Sequence, residues 1–66
     1  MDSEIGAAAG KVWSYLSQNG SVRTAKMIRE LDCTRDMTQR AIGWLARENK
    51  IVLGEDERAE TISLHR

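Results

Sequence analysis

The sequence predicts a mainly α-helical domain closed by a small β-hairpin. Three observations lead there. An amphipathic stretch over residues 5–19 is followed by two shorter helical stretches. Turn-forming residues at Asn19-Gly20, Asp32-Cys33-Thr34, Asn49 and Gly54 bound each piece, and residues 51–64 carry strand-like apolar runs. No proline interrupts any of them.

The first helix is set by Ile5, Ala9, Val12 and Leu16, which fall at helical spacing and make one apolar stripe. Trp13 and Tyr15 flank that stripe on opposite sides, and Trp13 is expected in the core. Lys11, Ser14 and Gln18 face away from it. Gly20 suits the left-handed residue that ends a helix. Ser21-Val22-Arg23 has room for a brief strand only. A short second helix over 24–31 follows, with Thr24 as its expected cap and Ala25, Met27, Ile28 and Leu31 as its buried side. After a tight turn, Thr34 is placed to cap a third helix reaching Glu48. Thr38, Ala41, Ile42 and Leu45 form its inner face; Asp36, Gln39, Arg40, Gly43 and Arg47 form its outer face. Asn49 tolerates the left-handed conformation better than most residues and provides the stop. Ile51-Val52-Leu53 and Thr61-Ile62-Ser63-Leu64 are the arms of the hairpin, with Gly54 through Arg58 as its exposed tip.

Helix, short strand, helix, tight turn, helix, strand–wing–strand is the order of a winged helix-turn-helix, here filling one domain over residues 1–66. Two segments also resemble a small family of uncharacterised prokaryotic winged helix-turn-helix proteins. One is Ala9-Gly10-Lys11-Val12-Trp13; the other is Gly43-Trp44-Leu45-Ala46-Arg47-Glu48-Asn49-Lys50, followed by an apolar strand. The resemblance spans nearly the whole chain and implies the fold. By fold analogy the resemblance also implies nucleic-acid binding.

The bulk properties narrow the classes. With 41% hydrophobic and 30% charged residues, the composition is that of a soluble globular protein. The absence of an apolar run near membrane length predicts no spanning helix, and the acidic start Asp2/Glu4 predicts no signal peptide. A single cysteine fits a reducing cytoplasm. One cysteine and one histidine do not close a metal site, and no cofactor is expected. Ser14, Ser17, Ser21 and Ser63 have only His65, near the end of the chain, as a possible base, so no enzyme is expected. A domain this small without staples often gains stability by self-association, which raises the expectation of a homodimer.

Net charge is zero, but it is unevenly spread. Residues 21–50 hold seven basic and four acidic residues, whereas 51–66 hold Arg58 and Arg66 against Glu55, Asp56, Glu57 and Glu60. Phosphate contacts are therefore expected from the middle of the chain. Arg35, Gln39 and Arg40 occupy the N-terminal half of the third helix, where arginine can hold guanine and glutamine can hold adenine. Lys26, Arg29 and Arg47, with Arg23 and Lys50, are the phosphate candidates. Asp36 and the acidic wing oppose DNA, because counterion release needs net basic contacts. Trp44, on the same edge of the helix as Met37, is either a boundary residue covered by the wing or first helix, or an anchor at a protein interface. The run Gly6-Ala7-Ala8-Ala9-Gly10 packs tightly either within the monomer or, through residues such as Ala8, against a second copy. Cys33 is expected as a packed thiol in the turn. Two functions stay open: a DNA-binding module of the transcriptional-regulator kind contacting double-stranded DNA, or a protein-interaction or homodimerisation module.

Overall fold

Two small side chains, Ala8 and Ala9, are buried in the N-terminal half of the first helix and let it lie close to its neighbours. In the computed structural model, which describes residues 3–65, α1 runs Ser3–Asn19 and buries Ala8, Ala9, Val12 and Leu16. Gly20 terminates it at φ 72, with its N–H donating to the Leu16 carbonyl at 2.8 Å. That conformation is nearly free of cost only for glycine. Strand β1 (Val22–Arg23) follows, then α2 (Thr24–Glu30), α3 (Arg35–Arg47), β2 (Ile51–Asp56) and β3 (Ala59–Leu64).

Both ends of α3 are closed by local chemistry. Thr34 is its N-cap: the hydroxyl accepts from the Met37 N–H at 3.1 Å, satisfying one of the orphan donors of the first turn. At the other end Asn49 sits at φ 59, its N–H reaches the Ala46 carbonyl, and the Lys50 N–H reaches Leu45. This pair of bonds is a Schellman closure, with asparagine in glycine's usual place. Helix α2 is different. Its N-cap is Arg23, in extended conformation and without a side-chain cap, so Thr24 is not the cap expected from sequence. The chain enters α2 directly from β1, which puts Thr24 one residue inside the helix. Its hydroxyl instead donates to Glu60 Oε2 at 2.9 Å.

The three strands form one antiparallel sheet in the order β1-β3-β2. Val22 faces Ile62, and the β2–β3 hairpin pairs Ile51 with Leu64 through to Asp56 with Ala59. Only Glu57 and Arg58 make the turn, both at positive φ (52 and 70). Residues Gly54–Arg58 are all exposed, but the turn itself is shorter, because Gly54, Glu55 and Asp56 belong to β2. Alternation along the strands sends Ile51, Leu53 and Glu55, with Val22, Glu60, Ile62 and Leu64, to the helix-facing side of the sheet.

The core lies between that side and the three helices: Val12 and Leu16 of α1, Met27 of α2, Ala41, Ile42 and Leu45 of α3, and Ile51 and Ile62 of the sheet. Met27 and Ile62 have no exposed surface, so truncating either to alanine would cost about 2–5 kcal/mol. Thr38 is also fully buried, its hydroxyl donating to the Thr34 carbonyl at 2.8 Å. Two apolar assignments are overturned. Trp13 is half exposed, at 50%, because the core is centred on Val12 and an adjacent helical residue points about 100° away. Ala25 is exposed, because the entry from β1 turns Thr24 and Met27 inward instead. Cys33 packs half-buried against the core, as a turn residue should.

Candidate nucleic-acid interface

Helices α2 and α3 meet through the turn Leu31–Thr34 and diverge to leave a cleft of about 570 Å³. Its walls are Thr24, Ala25, Ile28 and Arg29 from α2 and Arg35 and Gln39 from α3, with Glu60 of β3 on its floor. Arg29, Arg35 and Gln39, separated in sequence, are therefore brought to one surface. Arg29 reaches it from the last turn of α2 and Arg35 from the first turn of α3.

The other site candidates fall elsewhere. Arg40 lies on the outer face of α3, and its Nε is 3.3 Å from Asp36 one turn earlier. This i,i+4 pair is exposed and weak, yet it turns the guanidinium toward an acid. Lys26 and Arg47 are exposed on α2 and at the end of α3, outside the cleft. Arg23 is paired with Glu57 of the wing turn at 3.3 Å, and Lys11 donates to the Asp32 carbonyl at 2.7 Å. Among the described residues, Lys26, Arg29, Arg35, Arg47 and Lys50 make no ion pair.

Sequence reasoning overlooked Glu60 as part of this surface. The signal was present, because Glu60 shares strand parity with the apolar Ile62 and Leu64 and so has to face the helices. On the same side Glu55 stands directly opposite Glu60, a like-charge pair that weakens the wing.

The interface candidates separate. Ala8 is 3% exposed within the monomer core and offers no surface to a second copy; the exposed members of the small-residue run are Gly6, Ala7 and Gly10. Met37 is half-buried in a hollow of about 290 Å³ between α1 and the turn, shared with Ala8 and Cys33. Trp44 stands 43% exposed outside that hollow, so neither the wing nor α1 fully covers it. Among the described residues no group of three metal-ligating side chains converges, and no helix is long and apolar enough to cross a membrane.

Three helices, a helix-turn-helix and a hairpin wing define a winged helix-turn-helix domain. The chain belongs to the winged helix-turn-helix domain family DUF2582, whose profile matches residues 1–64. It is 33% identical over 66 residues to the uncharacterised protein MJ1608 of Methanocaldococcus jannaschii, covering 97% of this chain and 94% of that one. Its fold is similar to the solution structure of protein BT2368 from Bacteroides thetaiotaomicron, with a TM-score of 0.80 and 34% identity. That match covers 94% of this chain and 76% of the other.

Proposed function

We propose that the protein is a non-catalytic, cytoplasmic DNA-binding module, a regulator that docks α3 into the major groove of a duplex. The observation that carries this reading is the convergence of Arg29, Arg35 and Gln39 on one cleft, with neither arginine held by an acid among the described residues. In a helix-turn-helix the N-terminal half of the second helix approaches base edges. Arg35 and Gln39 supply the donors and acceptors that read guanine and adenine there. Lys26, Arg29 and Arg47 contact phosphates on either side. Arg40 is a lesser contributor, since Asp36 competes for its guanidinium.

Fluorescence anisotropy on a random-sequence duplex at low salt tests it. About three phosphate contacts would give a slope near −3 for log affinity against log salt. Arg29→Ala with Arg35→Ala should remove most of the binding. A folded protein that leaves the duplex free at low salt overturns the proposal.

A second reading, a module that binds protein through the same fold, is favoured by one specific observation. The wing is acidic over residues 54–58, with Glu55, Asp56 and Glu57 against Arg58, and Glu57 competes with phosphate for Arg23. Under that reading the same titration shows no DNA binding at any salt concentration.

A further inference from the structure

Among the described residues no strand pairs with the outer edge of β2. It is the terminal strand in the order β1-β3-β2, and of its six residues only Ile51 is buried, while Val52 and Leu53 are each 45% exposed. An edge of this length with apolar side chains invites pairing with another strand. We propose that a second copy of this chain covers it, joining the two sheets through antiparallel β2–β2 pairing about a two-fold axis at Leu53.

Backbone parity selects the register. The His65 N–H donates to the Lys50 carbonyl at 2.9 Å, so Lys50 turns its hydrogen-bonding groups toward β3. Alternation then directs Val52, Gly54 and Asp56 inward as well, closing the hairpin. Ile51, Leu53 and Glu55 are left with N–H and C=O groups aimed at the free edge. In an antiparallel pair only outward residues can exchange hydrogen bonds, so the axis is limited to positions that match them with one another. Centring it on Leu53 uses all three: Leu53 faces its own copy, and Ile51 faces the partner's Glu55. That gives on the order of six inter-chain hydrogen bonds.

Side-chain chemistry selects the same register. On the outer face, Lys50 comes opposite the partner's Asp56, and symmetry makes this contact twice. Val52 comes opposite the partner's Gly54, whose missing side chain leaves it room. Moving the axis one residue toward Val52 strands Glu55 and sets Lys50 against glycine. Moving it one residue toward Gly54 strands Ile51 and sets Lys50 against Arg58, a like-charge pair. Asp56, one of the acids that shield this edge from other strands, is thus neutralised by Lys50 of a second copy of the same edge. The result is a six-stranded sheet with the helices of both copies on one side. It does not depend on DNA binding.

Sedimentation equilibrium on the full chain, from about 1 µM to 1 mM, tests the pairing. The expected result is a dimer that Lys50→Asp and Asp56→Lys each weaken about tenfold or more. The double substitution should restore it. Leu53→Lys, which sets two ammonium groups on the axis, should abolish it while circular dichroism shows the fold intact. A monomer across the whole range overturns the proposal. So does a dimer indifferent to the single charge reversals, or one that the double reversal fails to restore.

Discussion

The Thr24 hydroxyl donates to Glu60 Oε2 at 2.9 Å, fastening the first residue of α2 to the middle strand of the sheet. Thr24 is buried, so the bond lies on the protein side of the cleft. It holds a carboxylate in place below Arg29, Arg35 and Gln39. A surface that would attract phosphate therefore has a negative charge built into its floor.

Replacing that charge separates its structural part from its electrostatic one. Glu60→Gln keeps an oxygen to accept from Thr24, removes the repulsion with Glu55, and leaves both cleft arginines unopposed. Affinity for a random duplex at low salt should rise about threefold to tenfold, with the gain shrinking as salt increases. Stability should stay within about 0.5 kcal/mol of the parent. Unchanged affinity, for a parent that does bind, would place the phosphates away from this cleft.

The wing turn stores strain that substitution can release. Glu57 and Arg58 both adopt positive φ, the pattern of a two-residue hairpin turn that favours Asn-Gly. Arg58→Gly removes the steric cost at φ 70 and leaves the Arg23–Glu57 pair intact. The urea midpoint should move up by the equivalent of about 0.5–1 kcal/mol, with an unchanged slope. A lower midpoint would mean that the Arg58 side chain stabilises the wing by more than its backbone costs.

The two threonines at the helix starts, Thr24 inside α2 and Thr34 ahead of α3, behave oppositely, and this gives a third test. Thr34→Ala deletes the cap on the Met37 N–H and should cost about 1 kcal/mol, while Thr34→Ser should recover most of it. Thermal melts of the three proteins read the difference. Equal stability of the alanine variant and the parent would show that water caps α3 equally well.

Thr24 and Thr34 also mark where the sequence was legible. Thr34, Gly20 and Asn49 act within a few residues of themselves, so their roles in ending or starting helices could be read locally. The inner face of α3 could be read too, since Thr38, Ala41, Ile42 and Leu45 share one helical period and all are buried. Thr24 could not, because its partner is 36 residues away and its place in α2 depends on where β1 ends. Trp13 was misplaced because apolar character says nothing about room, and Ala8 and Ala9 show how little room the helix interface leaves. At the candidate site, the residue types of α3 were legible, and strand parity with Ile62 and Leu64 carried the signal for Glu60. The choice of Asp36 as the partner of Arg40 was not legible, because it depends on side-chain direction.

Tyr15 offers a titration that reports the packing of α1 on α2. Its hydroxyl donates to Glu30 Oε1 at 2.7 Å. That bond, then partial burial, then the negative charge of Glu30 raise its pKa above the ordinary 10.0. The neutral phenol is the donor, and ionisation both breaks the bond and sets two anions side by side. With the folded pKa raised, the stabilisation is fully present below about pH 10 and is lost as pH climbs through the folded-state value. Tyr15 is the only tyrosine in the chain, so tyrosinate absorbance follows this one group. The midpoint should lie above 10 in the parent and fall back toward the ordinary value in Glu30→Ala. Tyr15→Phe should lower stability at neutral pH by about 0.5 kcal/mol, and the difference from the parent should shrink in alkali. A parent midpoint at or below the ordinary value would mean that the Tyr15–Glu30 bond does not form in solution.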